Sequence, residues 1–160
     1  MKIRKAEPDD LDMLIKMFEN ARRFMAGHGN AGQWGGGYPS RELIERDIGL
    51  GQSYVCEEDG RMLATFVLLE GEEPTYAVID GAWKNDRPYG TLHRVASSGE
   101  RGGMTDEIIR WAFERTGNLR GDTHADNLPM QRAFERNGFE RCGTVWMEDG
   151  TPRMAYQREK

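Results

Sequence analysis

The stretch Asn127-Leu128-Pro129-Met130-Gln131-Arg132-Ala133-Phe134-Glu135-Arg136-Asn137-Gly138-Phe139 constrains the fold more than any other part of the chain. Asn127 can cap a helix, Pro129 suits its first turn, Met130, Ala133 and Phe134 share one face, and Gly138 stands where a C-cap belongs. Together they specify a short amphipathic helix running directly into a strand. Upstream, Gly99-Glu100-Arg101-Gly102-Gly103-Met104-Thr105 is a glycine-rich turn leading into another amphipathic helix, with Ile108, Ile109, Ala112 and Phe113 inward. Such a turn gathers unpaired backbone N–H groups at the positive end of the helix dipole, which suits a phosphate or pyrophosphate. Gly102 and Gly103 permit close backbone approach, and Arg101 adds a cation. Against this, Glu100, Asp106 and Glu107 surround the turn with negative charge, and glycine turns before helices are often plain loops.

The remaining periodicities give the order of elements. Ile3 begins a short strand. Pro8-Asp9-Asp10 starts a helix with the stripe Leu11, Leu14, Ile15, Phe18 and Met25, ended by Gly27. Residues 27–37 hold six glycines and cannot be regular structure. Pro39-Ser40 caps a second helix with Leu43, Ile44 and Ile48. Tyr54-Val55-Cys56 and residues 62–69 read as a hairpin about Asp59-Gly60. Residues 70–89 are broken by Pro74, Gly81 and Pro88, with Tyr76-Ala77-Val78-Ile79 a strand candidate. Strands at 91–97 and 119–123 follow, and 139–147 with 153–157 form a last hairpin about Asp149-Gly150. The series β-α-α-β-β-β-α-β-α-β-β implies a single α/β domain over 1–160 with a mixed sheet flanked by helices.

Composition sets the outer bounds. At 160 residues the chain suits one domain with a proper core. A net charge of −5 with both signs interspersed gives no electrostatic footprint for nucleic acid or an anionic membrane, and no such partner is expected. The start Met1-Lys2-Ile3-Arg4-Lys5 lacks the apolar run of a signal peptide, so the cytoplasm is the expected location. Cys56 and Cys142 lie in strand-like runs and read as reduced core residues. Gly27-His28-Gly29-Asn30-Ala31-Gly32 follows a helix rather than a strand, so this literal G-x-G-x-x-G is not a dinucleotide fingerprint. There is no Gly-Lys-Ser/Thr for a P-loop, and the scattered histidines and cysteines make no metal site.

In the order of its elements and in the two motifs above, the chain resembles the GCN5-related N-acetyltransferase (GNAT) superfamily. That family has a Q/R-x-x-G-x-G/A turn between its fourth strand and third helix, and an N-x-x-A-x-x-L-Y-x-K-x-G-F segment after its fifth strand. Asn127, Ala133, Arg136, Gly138 and Phe139 fall at the second motif's spacing, with Met130 in place of Ala and Phe134 in place of Tyr. On the first motif Glu100 takes the Q/R position, Gly103 the first glycine, and Thr105 the position usually Gly or Ala. The resemblance implies a mostly antiparallel twisted sheet, acetyl-CoA as cosubstrate, and acetyl transfer to a small-molecule or peptide amine. It implies cofactor contacts from Val95, Ala96 and Ser97, from Arg101, Gly102, Gly103, Met104 and Thr105, and from Asn127, Met130, Phe134 and Arg136.

Amine acetylation needs a base and usually a proton for the leaving thiolate. His124, just past the strand expected beside the acetyl group, and His93 on the fourth strand are the base candidates, with Asp122 and Asp80 behind them. His124 is as readily a loop histidine hydrogen-bonded near the helix cap, and for His93 a satisfied core histidine is the readier reading. The family's proton-donating Tyr is Phe134 here, which leaves water, Tyr38, Tyr76 or Tyr89. The resemblance places the acceptor against residues 27–39, with His28, Gln33, Trp34 and Tyr38, and against residues 76–89, with Asp80 and Trp83. Glycines interleaved with aromatics suit a lid over a small ligand, or equally a packed loop with Trp34 on the sheet. A CoA-binding regulator with little turnover and a purely structural domain are the rival functions, and a homodimer is left open.

Overall fold

The computed structural model describes residues 1–160, which fold as two compact units, Met1–Leu68 with Arg94–Thr105, and Leu69–His93 with Asp106–Lys160. Its elements are β1 (Lys2–Lys5), α1 (Leu11–Gly27), α2 (Arg41–Gly49), β2 (Ser53–Glu58), β3 (Arg61–Glu70), β4 (Asp80–Gly81), β5 (Gly90–Ser97), α3 (Met104–Thr116), β6 (Asn118–Thr123), α4 (Leu128–Arg136), β7 (Glu140–Trp146) and β8 (Pro152–Glu159). The fold is the mixed α/β one expected, with a mostly antiparallel sheet flanked by helices.

In the first unit the strand order is β1-β2-β3-β5, with β1 antiparallel to β2 and β2 to β3. Asp59 and Gly60 both have positive φ, 53° and 75°, the backbone a two-residue type I′ hairpin needs. Helix α1 turns Leu14, Met17 and Phe18 inward onto Ala6, Trp34, Ile44, Val55 and Ala96. Pro8–Asp10 forms a separate 3-10 turn before α1, its Asp10 carboxylate accepting from the Glu7 N–H and from Arg4. Ser40 caps α2 through a hydrogen bond from Leu43 N at 3.2 Å.

In the second unit the order is β5-β6-β8-β7-β4. Only β5 and β6 are parallel here, with Gly90, Thr91 and Leu92 opposite Leu119, Arg120 and Gly121. That register puts Thr91 and His93 on the same face as Arg120 and Asp122, and Leu92 with Gly121 on the other. Helix α3 makes the crossover between these parallel strands, burying Ile108, Ile109 and Ala112. Asn127 caps α4, its side chain accepting from Met130 N, and Gly138 leaves the helix at φ 81°. Phe134 is wholly buried, with ring centroids 4.9 Å from both Phe139 and Tyr156.

Two expectations need correction. Residues 76–79 are not a strand: Pro74–Tyr76 is a 3-10 turn, and the strand of this segment is the two-residue β4, paired to β7. Proline fixes the turn, and Glu73 caps it by accepting from Thr75 N. Cys142 is not core like the wholly buried Cys56; both are free thiols, and Cys142 is half-buried. It lies where the β7–β8 register slips between Arg141 and Gly143, so a bulge turns it out of the alternating pattern. No helix is long and apolar enough to cross a membrane.

Candidate active site

The second unit gathers a cluster around Tyr76. The Tyr76 hydroxyl donates to Asp122 Oδ2 at 2.6 Å, and its carbonyl accepts from Trp83 Nε1 at 3.0 Å. Trp83, Tyr89 and His93 ring it, with centroids at 4.9, 6.4 and 6.2 Å. His93 Nε2 lies 3.5 Å from Glu73 Oε2. Glu73 also accepts from the Thr75 hydroxyl at 2.8 Å, and its N–H donates to the Tyr89 hydroxyl at 2.8 Å. Beneath, the Arg120 guanidinium lies 4.3 Å from the Trp83 centroid and 3.8 Å from that of Tyr89, with Nη2 donating to the Asn85 carbonyl.

Burial and the Asp122 carboxylate push the Tyr76 phenol well above its ordinary value, so it is a donor to Asp122 and a poor acid toward anything else. Burial pushes the Glu73 carboxyl up, but the hydrogen bond and charge of His93, with Thr75, outweigh it and hold the pKa down to about 2. Because the folded value lies below the ordinary 4.5, Glu73 contributes stability above that pH and loses it as the pH falls toward 2. Glu73→Gln should therefore flatten part of the acid limb of urea-unfolding midpoints between those values. Parallel limbs for the two proteins would refute the pairing.

His124 is held differently. Its Nδ1 accepts from Asp126 N at 3.0 Å, and its carbonyl accepts from Gln131 Nε2, so the imidazole is built into the turn that opens α4. Arg136 spends its fork on Asp106, at 2.9 and 3.1 Å. Asn127 acts as the helix cap, and Met130 is half-buried. Asp80 is exposed, its backbone pairing with Thr144.

Phe134 points its Cζ at Gly121, where an added Cβ would lie only 2.7 Å away. That tip has no room for a hydroxyl, and the neighbouring Tyr156 hydroxyl is itself buried without a partner. Phe134→Tyr should cost about 2 kcal/mol of stability and bring no gain in turnover. An unchanged melting temperature would show that the packing is looser than this.

In the first unit, the backbone from Ser97 to Met104 turns through Gly99 and Gly103, at φ 81° and 76°. A Cβ at Gly99, Gly102 or Gly103 would meet nothing within 4 Å, so the backbone here is open to close approach. Gly99 N donates to Ser97 Oγ, Glu100 N to Ser98 Oγ, and Ser98 N to the Leu63 carbonyl. Arg101 Nη1 donates to Glu58 at 3.2 Å and Glu100 lies 3.6 Å from Arg61, so the acidic and basic side chains of the turn are both partnered. Val95 and Thr105 are half-buried, and Ala96 and Met104 are buried.

The loop between α1 and α2 is also in this unit. His28 is exposed, stacked on Phe24 at 3.9 Å with Nδ1 against the Phe24 carbonyl. Gln33 accepts from Asn30, and Trp34 packs edge-on to Phe18 at 5.6 Å within the core. The packed-loop alternative therefore describes Trp34, whereas Tyr38 stays 38 % exposed with its hydroxyl accepting from Arg94 Nη1. Sequence reasoning missed Glu73, Arg94 and Asp47. The visible signal was Asp47, an acid on the apolar face of α2 one turn after Leu43 and Ile44. No group of three His, Cys, Asp or Glu side chains is placed to hold a metal.

The fold matches those of solved acetyltransferases over nearly its whole length. An acetyltransferase of the GNAT family from Streptococcus agalactiae is 32 % identical, with 99 % of this chain and 95 % of that one covered at a TM-score of 0.91. A structure from Staphylococcus aureus described as a possible acetyltransferase is 24 % identical, with 99 % of each chain covered and a TM-score of 0.74. The aminoglycoside acetyltransferase AAC(6′)-Ib, solved with coenzyme A, shares the fold at 20 % identity, covering 99 % and 94 % at a TM-score of 0.68. No family model and no curated protein sequence matches the chain. With its first-named relative above 30 % identity over almost the full length, the chain belongs to the GNAT family of acetyltransferases.

Proposed function

We propose that the protein transfers an acetyl group from acetyl-CoA directly to the amine of a small-molecule acceptor, with His93 as the general base. The observation that carries this is the Glu73–His93 contact on β5, the strand whose continuation, Val95 to Ser97, leads into the open glycine turn. In this reading the backbone of Val95, Ala96 and Ser97 pairs with the pantetheine arm, and the amides from Gly102 to Thr105 face the pyrophosphate. Gly102 and Gly103 carry no side chain to obstruct it, which fits the resemblance. AAC(6′)-Ib, solved with coenzyme A, supports this cosubstrate through the shared fold.

Two carboxylates, Glu73 and Asp122, favour a cationic acceptor beside the Tyr76, Trp83 and Tyr89 rings. His93 takes a proton from the acceptor ammonium, and the freed amine nitrogen attacks the thioester carbonyl. The C–N bond forms as the C–S bond breaks, the acylated nitrogen gives up its second proton to water, and the thiolate takes a proton from water. Neither Phe134, which has no proton to give, nor Tyr76, committed to Asp122, serves as the acid. His124, whose Nδ1 is occupied by the Asp126 amide, is the less suitable base.

Phe134 in the family's tyrosine position also favours a second reading, a CoA-binding regulator with little turnover. One experiment separates the two. Acetyl-CoA is added to the protein with tyramine, spermidine, lysine or a dipeptide while free thiol is followed, and acetyl-CoA binding is measured by calorimetry. Acceptor-dependent thiol release supports the enzyme; binding without release from any amine supports the regulator; no binding removes both.

A further inference from the structure

Only two residues other than glycine have positive φ: Asp59, explained by its hairpin, and Arg94, at φ 49° in the middle of β5. A side-chain-bearing residue held in the left-handed region persists only where its surroundings fix it, and such strain gathers at functional positions. Here the surroundings are specific. Arg94 Nε and Nη2 form a fork on Asp47 of α2, at 2.8 and 2.9 Å, with the Asp47 side chain only 4 % exposed. Gln52 Nε2 completes the carboxylate at 2.8 Å from Oδ1.

Neutralising Asp47 needs only that fork. The third nitrogen, Nη1, donates instead to the hydroxyl of Tyr38 at 2.9 Å, on an aromatic residue that keeps more than a third of its surface in solvent. Tyr38 belongs to the α1–α2 loop, where Gly29, Gly36 and Gly37 all have positive φ and leave the backbone little stiffness of its own. The same residue is anchored through its carbonyl, which accepts from Arg22 Nη1 at 3.2 Å, and its ring stands edge-on to buried Trp34 at 6.4 Å. One guanidinium thus joins a kinked strand, a helix and a glycine-rich loop.

We infer that Arg94 is a positioning residue, setting the α1–α2 loop against β5 through the Tyr38 hydroxyl so that the acceptor is held in register with the acetyl group. The inference rests on the proposed function, in which β5 carries acetyl-CoA, and adds to it that the α1–α2 loop meets the acceptor. Arg94 itself takes no part in bond making.

The test is a double-mutant cycle on the full chain, with Tyr38→Phe, Arg94→Lys and both together. Tyr38→Phe keeps the ring on Trp34 and removes only the hydroxyl; Arg94→Lys keeps a cation for Asp47 but cannot also fork to the Tyr38 hydroxyl. Amide exchange over residues 29–39 should quicken roughly tenfold in either single variant, as expected when a hydrogen bond to a charged donor is lost, and the double variant should add nothing further. For Tyr38→Phe, exchange over residues 92–98, the melting temperature and acetyl-CoA affinity should stay as in the parent. With whichever amine of the thiol-release panel is acetylated, the same variant should raise the Michaelis constant for that amine severalfold while leaving kcat and the constant for acetyl-CoA unchanged. Unchanged exchange over residues 29–39, an equal rise in both segments, or additive effects would overturn the coupling. If no amine is acetylated, the proposed function falls while the exchange cycle still decides the coupling.

Discussion

Replacing His93 by Gln should cut kcat for the acetylated amine by about 100-fold or more while acetyl-CoA affinity stays near its parent value, since a positioned general base contributes roughly that factor. Gln fills much the same volume and can still hydrogen-bond Glu73, so the fold should survive. The loss should shrink at alkaline pH, where free amine forms without help and a base is redundant. Glu73→Gln should give a smaller loss, because it removes the carboxylate that orients the ring without removing the ring. His124→Gln, by contrast, should leave the rate almost unchanged. If His93→Gln kept the parent rate and His124→Gln lost it, the assignment of the base would be reversed.

A larger structural effect is expected from a methyl group at Gly143. An added Cβ there would stand 2.0 Å from the Asp80 carbonyl oxygen, and one at Gly81 would stand 2.2 Å from that of Cys142. Both contacts are with backbone, which cannot swing aside as a flexible side chain does. Gly143→Ala must therefore prise β4 from β7 and disturb the segment carrying Tyr76 and Trp83, whose core neighbours are Val145 and Ala155. The expected cost is about 3 kcal/mol, a fall in melting temperature of roughly 10 °C. Gly150→Ala is the control: it too has positive φ, 85°, but an added Cβ meets nothing within 4 Å. It should cost about 1 kcal/mol. Equal losses in the two variants would mean that backbone conformation alone, and not the close approach, sets the cost.

The features that sequence revealed were those encoded within a few residues. The stripe of α1, the Asp59-Gly60 turn, the Ser40 and Asn127 caps and the Gly138 exit each follow from local chemistry, and the structure has them where the spacing put them. The order of those elements, with the spacing of Asn127, Ala133, Arg136, Gly138 and Phe139, was enough to reach the family. What escaped was decided by partners far away in the chain. Asp47 reads as an error on an apolar helix face until Arg94 appears opposite it, and Tyr76 gains meaning only from Asp122. The strand β4 has two residues and no periodicity, because it exists through a glycine-to-glycine approach that sequence does not display. The chain order favours His124 over His93 as the base, but an imidazole's use depends on which groups occupy its nitrogens, and only coordinates supply that.

The bulge that turns Cys142 half out of β7 also gives the protein a native chemical reporter. Its companion Cys56 is wholly buried, so a thiol reagent under native conditions meets one cysteine rather than two. Burial raises the Cys142 thiol above its ordinary value, against the opposing pull of Lys84 and Arg120, and keeps it slow to react. Its own carbonyl meanwhile receives the Ala82 amide, so the residue is fastened to the β4 segment. Any opening of that segment wets the thiol, frees more thiolate and quickens alkylation. The rate of a single labelling reaction thus becomes a clock for local opening beside the Tyr76 cluster, with no engineered probe.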